Sequence, residues 1–162
     1  MEKKIIAFDI DNTLFYTSSS ILTDSLELIF NTKKRYVKIR PNIDFLFDYL
    51  EENKDFFEVI VYSAATRDYV NNLLNYIEKN YLITKVYDRE FCDKIIIDNR
   101  EAYVKNYKKI NHELHNLYLI DDDDRHFQNM DVIGYKCKKY TGETDDEEIF
   151  HMIEFLETVK LI

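Results

Sequence analysis

The chain has 162 residues, of which 46% are hydrophobic, and its 31 acidic and 22 basic side chains give a formal net charge of −9. This length suits one domain with a sizeable core, and we expect residues 1–162 to form a single domain. The negative charge disfavours direct nucleic-acid binding, which depends on neutralising phosphates, and no apolar run is long enough to span a membrane.

Three short apolar segments predict the strands of a central sheet. They are KIIAF at 4–8, EVIVYS at 58–63 and LYLI at 117–120. All three are rich in β-branched and aromatic residues without polar alternation, as expected for parallel strands that are buried on both faces.

Helical patterns alternate with these strands. Apolar residues recur at helical spacing over 43–53 and 67–79. A last helix is predicted to begin at TDDE, where Thr144 and Glu147 match a capping box. The alternation is typical of an α/β doubly wound fold, which has a parallel sheet with helices on both faces.

Two segments interrupt the alternation. Residues 25–39 predict two strands around the turn-like NTKK, and residues 83–98 predict further short strands. We therefore expect short β insertions on the α/β core.

Polar residues follow each predicted central strand. Asp9 and Asp11 follow the first, Ser63 ends the second, and Asp121 and Asp122 follow the third. Ligands of open α/β sheets bind beyond the carboxyl ends of the strands, so we expect these side chains to meet there. Clustered carboxylates repel one another unless a cation neutralises them, and oxygen ligands suit Mg²⁺.

The segment DIDNT, at 9–13, resembles the D-x-D-x-T motif of phosphohydrolases of the haloacid dehalogenase (HAD) superfamily. Other blocks are similar, in order and spacing, to the small carboxy-terminal-domain (CTD) phosphatases and the NLI-interacting-factor-like group. These blocks are KIRPNIDFL at 38, FEVIVYSAAT at 57, VYDREFC at 86, YVKNY at 103 and LYLIDDDDRHF at 117. The resemblance covers roughly residues 5–160 and implies a HAD-like, Rossmann-like fold without a large cap domain.

The resemblance also implies a mechanism. Asp9 would attack phosphorus as the nucleophile and form an aspartyl-phosphate, and Asp11 would act as general acid and then as general base. Ser63 would hydrogen-bond a phosphoryl oxygen, and Lys105 would stabilise the phosphoryl group with its charge. Thr13, in the same motif as the two acids, is expected to bind the substrate with them.

The resemblance further implies a magnesium site. Mg²⁺ would be held by the Asp9 side chain, the Asp11 backbone carbonyl and Asp122, with Asp121 in or beside the coordination shell.

Arg89 is a candidate for substrate recognition, because an arginine in the matching block lies near the substrate in the resembled family. Tyr87, Arg89 and Phe91 would share one face if this stretch is extended, and that face could pack a proline beside a phosphoserine. The alternative is that the two aromatic residues cover the sheet and Arg89 pairs with a surface acid.

Several residues are assigned structural roles. Arg40 is expected to organise the insertion and the helix start, and Asp123 and Asp124 to form a solvated turn. Cys92 and Cys137 are expected to be core residues or inert thiols. The four histidines are expected to be surface or satisfied core residues, namely His112, His115, His126 and His151.

Some positions depart from the family pattern. Asn12 stands where Glu is common, Asn106 where Asp is common, Ser63 where Thr is usual, and Asp123–Asp124 where Ser-Pro is usual. Loops beside a site carry specificity, so these departures leave the substrate preference open.

Three classes of function follow. The first is a Mg²⁺-dependent phosphatase that acts on phosphoserine or phosphothreonine in proteins, with the CTD repeats of RNA polymerase II as one candidate substrate. The alternative is a HAD phosphatase for a small phosphorylated metabolite or nucleotide, although such enzymes usually need a cap. A non-catalytic binding module is third, and retention of Asp9, Asp11, Lys105 and Asp122 counts against it.

We also expect an intracellular location, cytoplasmic or nuclear. The start, MEKKIIAFD, has no signal-peptide pattern, and the two cysteines form no C-x-x-C pair. The expected partner is a phosphoprotein or phosphopeptide, with no membrane and no nucleic acid.

Overall fold

The computed structural model describes residues 1–110, 114–128 and 132–162. His112 lies outside the described residues, so its assignment stays a prediction. The strands are β1 Lys4–Phe8, β2 Phe15–Ser18, β3 Leu26–Phe30, β4 Lys33–Ile39, β5 Phe57–Tyr62, β6 Ile83–Tyr87, β7 Cys92–Ile97, β8 Arg100–Lys105, β9 Leu117–Asp121 and β10 Ile133–Lys136. The α-helices are α1 Ile43–Glu52, α2 Arg67–Leu74 and α3 Glu148–Leu161.

A parallel five-stranded sheet forms the centre of the fold, in the order β10-β9-β1-β5-β6. The three predicted central strands are β1, β5 and β9, and the predicted α/β doubly wound fold class is confirmed. From β1 the chain builds the sheet first toward β5 and β6 and later toward β9 and β10. The order therefore reverses beside β1, where such sheets bind ligands.

The two faces of the sheet pack into separate cores because successive side chains of a strand point to opposite sides. In β1, Ile6 and Phe8 face a core that includes buried residues of all three α-helices. Ile5 and Ala7 face the other core, which Tyr107 and Ile110 help to cover from the short 3₁₀ turn at Tyr107–Lys109 and the residue after it. Among the described residues, the three α-helices all pack on the first face, so the expectation of helices on both faces is wrong in that respect.

The first β insertion is confirmed. Strands β2, β4 and β3 form an antiparallel sheet, and Asn31 and Thr32 make the predicted turn with positive φ. We call this sheet the insertion sheet. Between Asp11 and Ser63 the chain adds to the core only this sheet, α1 and β5, and so no large cap covers the site.

The second predicted insertion, over 83–98, is wrong in its boundaries. β6 is an edge strand of the central sheet, and the hairpin is β7–β8, which extends to Lys105. The hairpin turns at Asp98 and Asn99, which both have positive φ, a conformation that Asn and Asp tolerate well. β10 was not predicted, because its short, partly exposed sequence IGYK contains no apolar run.

Two helix boundaries also differ from the predictions. α2 ends at Leu74 and not at 79. The Asn80 side-chain amide donates to the carbonyl of Leu74, the last residue of the helix. The predicted capping box is wrong, since neither Thr144 nor Glu147 caps α3 with its side chain. Instead, the Asp146 carboxylate accepts from the Glu148 N–H at 3.1 Å.

None of the helices in the described ranges has both the length and the apolar character needed to cross a bilayer.

Candidate active site

Asp9 is the first residue after β1 and is held from three sides. Its N–H donates to the Ile120 carbonyl at 3.0 Å, which ties it to β9. One carboxylate oxygen, Oδ1, accepts from Lys105 Nζ at 2.9 Å, and Oδ2 accepts from the Thr13 hydroxyl at 2.9 Å. The Asp9 carboxylate is thus fixed in orientation and is nearly buried, at 7% exposure.

Lys105 ends β8 and lies beneath the acids. Its ammonium group is fully buried and pairs with both Asp9 and Asp121. Burial alone would lower the pKa of Lys105, but the Asp121 and Asp9 carboxylates outweigh it and raise that pKa. Lys94 and Lys108, two other lysines in this part of the sequence, are exposed. The structure therefore brings Lys105 to the acids, below them and not on the cavity surface.

Three carboxylates converge closely enough to share a cation. Oxygens of Asp9, Asp121 and Asp122 lie within 4.8 Å of one another. Burial and the nearby Asp9 charge raise the pKa of Asp121 to about 8 and that of Asp122 to about 6. Such raised values mark uncompensated negative charge, which a bound cation would relieve.

Thr13 is completely buried and does not line the cavity. Its hydroxyl lies 2.9 Å from Asp9 Oδ2 and 3.1 Å from Asp122 Oδ1. The side chain therefore holds two carboxylates together, and its expected contact with the substrate stays a prediction.

Asp11 follows Asp9 in a tight turn, and its side chain points away from the three clustered carboxylates. Asn12 adopts positive φ, and its side chain donates to the Tyr140 carbonyl, which anchors the turn. The Asp11 carboxylate accepts from the Tyr69 hydroxyl at 2.7 Å and is not part of the three-carboxylate group. Burial is the largest cause that raises the pKa of Asp11 to about 6; Tyr69 opposes the shift and Asp9 adds to it.

The site opens to solvent through a cavity of about 330 Å³. Ser63, directly after β5, is buried at its wall, where its Oγ accepts from the Ala65 N–H at 3.0 Å. The cavity is lined by Asp9, Asp11, Asn12, Ser63, Ala64, Ala65, Arg89, Asp122, Asp123, Arg125, His126 and Lys139.

Arg89 lies at the cavity, but the predicted aromatic face does not form. Residues Arg89–Phe91 make a 3₁₀ turn, because the Asp88 side chain accepts from the Glu90 N–H and caps it. Tyr87 is buried, with its ring 5.0 Å from that of Phe91. The guanidinium of Arg89 instead stacks 4.4 Å from the centre of the Tyr103 ring, and its Nε donates to the Ala64 carbonyl.

Sequence reasoning missed Tyr69, Arg125 and Lys139, which carry no local signal of a site. It assigned His126 a structural role, which the structure supports and places beside Lys105. The ring is buried, and its Nδ1 accepts from the Lys105 backbone N–H at 3.2 Å. Burial and the Lys105 charge lower the pKa of His126 to about 4, so the ring is neutral near pH 7.

The chain is similar to known phosphatases. The model of the NLI interacting factor-like phosphatase family matches residues 4–161. The chain is 27% identical to "CTD small phosphatase-like protein 2" of Dictyostelium discoideum, over 95% of this chain and 27% of that protein. It is 26% identical to an RNA polymerase II C-terminal domain phosphatase of Encephalitozoon cuniculi, over 74% of this chain and 28% of that protein.

The fold also matches a solved structure, that of the RNA polymerase II CTD phosphatase Fcp1. The TM-score is 0.61 at 17% identity, over 98% of this chain and 49% of the Fcp1 chain. The chain spans only about a quarter of the length of the two relatives named above.

Proposed function

Because the chain belongs to the family of NLI interacting factor-like phosphatases, we propose that it is a Mg²⁺-dependent phosphatase that hydrolyses phosphoserine or phosphothreonine in proteins. The reaction proceeds through an aspartyl-phosphate on Asp9.

The orientation of Asp9 is the observation that carries the proposal. Lys105 and Thr13 bind its two oxygens, and the same residue lines a cavity with Asp11 and Ser63. A carboxylate with fixed orientation is suited to attack phosphorus in line with the leaving oxygen.

In the first step, one oxygen of Asp9 forms a bond to phosphorus while the bond from phosphorus to the substrate oxygen breaks. Asp11 donates its proton to that leaving oxygen. The raised pKa of Asp11, about 6, supports this role, because a general acid is most effective when its pKa lies near the working pH.

In the second step, water attacks the aspartyl-phosphate and Asp11 takes the water proton. The bond from phosphorus to Asp9 breaks, and inorganic phosphate leaves. Lys105 keeps its charge through both steps, because its pKa is raised, and compensates the negative charge around Asp9.

The donor set fits Mg²⁺. Carboxylate oxygens of Asp9, Asp121 and Asp122 are hard ligands of the type that this ion prefers. When bound, the ion would neutralise the acids and polarise a phosphoryl oxygen. The Asp11 backbone carbonyl is the proposed further ligand.

A protein substrate is favoured over a small metabolite because the site has no large cap to enclose a small molecule. Arg89 and Lys139 are exposed at the cavity and are available to bind an extended peptide. Arg125 is also exposed there, but its guanidinium pairs with Asp123. The relatives include proteins named as CTD phosphatases, so CTD-like phosphopeptides are the first substrates to test. A cytoplasmic or nuclear location is part of the same proposal.

The test is steady-state hydrolysis of phosphoserine peptides and of phosphorylated metabolites, with Mg²⁺ and with chelator. We expect turnover of the peptides only with the ion present. Asp9→Asn should abolish turnover, while Asp11→Asn should still form phosphoenzyme from substrates with good leaving groups and hydrolyse it slowly.

Asp145→Asn serves as a matched control, since Asp145 is an exposed acid before α3. Its activity should equal that of the unmodified protein. Full turnover in excess chelator would contradict the metal assignment, and wild-type rates in Asp9→Asn would place the nucleophile elsewhere. A preference for metabolites over every peptide would favour the alternative substrate class.

A further inference from the structure

Tyr69, in the first turn of α2, is bonded to the carboxylate of Asp11. Its hydroxyl donates to Asp11 Oδ1 at 2.7 Å, and it lies 2.9 Å from the hydroxyl of Thr17 in β2. In the part of the chain that the structure describes, no other side chain hydrogen-bonds the Asp11 carboxylate.

The direction of the second hydrogen bond follows from the first. A tyrosine hydroxyl has a single proton, and Tyr69 gives it to Asp11. Thr17 must therefore donate to the Tyr69 oxygen. Burial and the nearby Asp11 charge raise the pKa of Tyr69, so its hydroxyl remains a donor at neutral pH.

The ring of Tyr69 is also fixed from the insertion sheet. Phe30, at the end of β3, packs edge-on against it with ring centres 5.7 Å apart and planes at 74°. Two strands of the insertion sheet, β2 and β3, thus hold one side chain of α2 against Asp11.

We propose that Tyr69 is a positioning residue for Asp11, and that the insertion sheet fixes this acid through Thr17 and Phe30. The inference rests on the proposed function, because it concerns the proton that Asp11 gives to the leaving oxygen. Tyr69 donates to Oδ1 of Asp11 and leaves Oδ2 to carry that proton. The hydrogen bond limits rotation of the carboxyl group while the bond from phosphorus to the leaving oxygen breaks.

Loss of positioning should depend on the leaving group. Phenolate is a basic leaving group that needs protonation, whereas dinitrophenolate departs without it. The ratio kcat/KM reports formation of the aspartyl-phosphate, so it isolates the step in which Asp11 acts as an acid. Aryl phosphates also lack a peptide, so any contact between Tyr69 and a peptide has no influence.

The experiment compares Tyr69→Phe with the unmodified protein on phenyl phosphate and on dinitrophenyl phosphate. We expect kcat/KM for phenyl phosphate to fall roughly tenfold or more, part of the roughly 100- to 10,000-fold that a general acid supplies. The value for dinitrophenyl phosphate should change less than about threefold. Tyr69→Phe keeps the ring and its contact with Phe30, so the fold should be retained.

Tyr76→Phe is the matched control. Tyr76 follows α2, and its hydroxyl also reaches the insertion sheet, where it donates to the Glu27 carbonyl at 3.1 Å. This variant should leave both substrates unaffected. Thr17→Val should repeat the pattern of Tyr69→Phe more weakly, by roughly two- to fivefold on phenyl phosphate, as expected for one neutral hydrogen bond.

Equal losses on both substrates in Tyr69→Phe would overturn the inference, since they would mean a general effect on the site. An unchanged value for phenyl phosphate would overturn it as well. Failure of the proposed function is a separate result: the unmodified protein would then turn over neither substrate with Mg²⁺ present, and the inference would fall with it.

Discussion

At the residue scale, the side chain of Arg89 is held in place at the cavity, where we propose that it contacts the substrate. Its Nε donates a hydrogen bond to the Ala64 carbonyl, and its guanidinium stacks on the Tyr103 ring. The guanidinium is therefore held at the cavity while it remains exposed. A charged group held in place in this way loses less side-chain entropy when it binds a ligand.

Arg89→Ala should therefore weaken recognition of a peptide. We expect kcat/KM for a phosphoserine-proline peptide to fall by an amount equivalent to roughly 1–3 kcal/mol, the worth of a charge-assisted contact. An aryl phosphate should be affected much less, because it offers only the phosphoryl group. Steady-state kinetics on the two substrates measure the difference.

Arg100→Ala is the control for this prediction, because Arg100 is exposed at the turn of the β7–β8 hairpin. It should leave both substrates unchanged. Equal losses on the two substrates in Arg89→Ala would show that Arg89 serves the phosphoryl group or the fold.

At the scale of elements, Arg40 joins three parts of the chain beneath the site. Its guanidinium donates to both oxygens of Asp146 at 2.7 and 2.9 Å, and also to the carbonyls of Thr13 and Lys138. Both partners of the ion pair are buried, and Asp146 caps the first turn of α3. Arg40 is structural, as predicted, but its ion pair supports the start of α3 and not that of α1, the helix that follows Pro41.

Arg40→Met should lower the free energy of unfolding by roughly 3–5 kcal/mol, because it leaves the Asp146 charge buried without a partner. Urea denaturation measures the loss. Adding Asp146→Asn should recover part of it, since the amide is neutral and its oxygen can still accept from the Glu148 N–H.

The control is Lys94→Met, which removes a cation from the exposed pair with Glu101. It should cost less than about 1 kcal/mol, the usual worth of an exposed ion pair. If the double variant were less stable than Arg40→Met alone, the unpaired charge would not be the cause of the loss.

At the scale of the whole molecule, the acid cluster would couple folding to the binding of a cation. Asp9, Asp121 and Asp122 come from the ends of β1 and β9, and Lys105 supplies one positive charge against the three carboxylates. The unfolded chain does not gather these groups, so a cation that binds them favours the folded state.

We therefore expect Mg²⁺ to raise the midpoint of thermal unfolding. At 100 times its dissociation constant, the ion should add about 2.7 kcal/mol to the free energy of unfolding. Asp122→Asn should reduce this shift, whereas Asp145→Asn should retain it. An equal shift in all three proteins would place the bound ion away from the cluster.

The sequence determined the central strands and the place of the acids. Apolar runs without polar alternation predicted β1, β5 and β9, and parallel strands end at one edge, so Asp9, Ser63, Asp121 and Asp122 had to approach one another. The apolar composition of a strand and the residues that follow it belong to one short segment, so a sequence pattern reports them directly.

Only the tertiary structure decided how these side chains are held. Arg40 and Asp146 are 106 positions apart, and Tyr69 and Asp11 are 58 apart. The extended Tyr87–Phe91 face failed for a different, local reason, because the Asp88 side chain caps a 3₁₀ turn just after β6. Contacts between distant residues depend on how whole elements pack, and neither hydrophobic periodicity nor a motif records that packing.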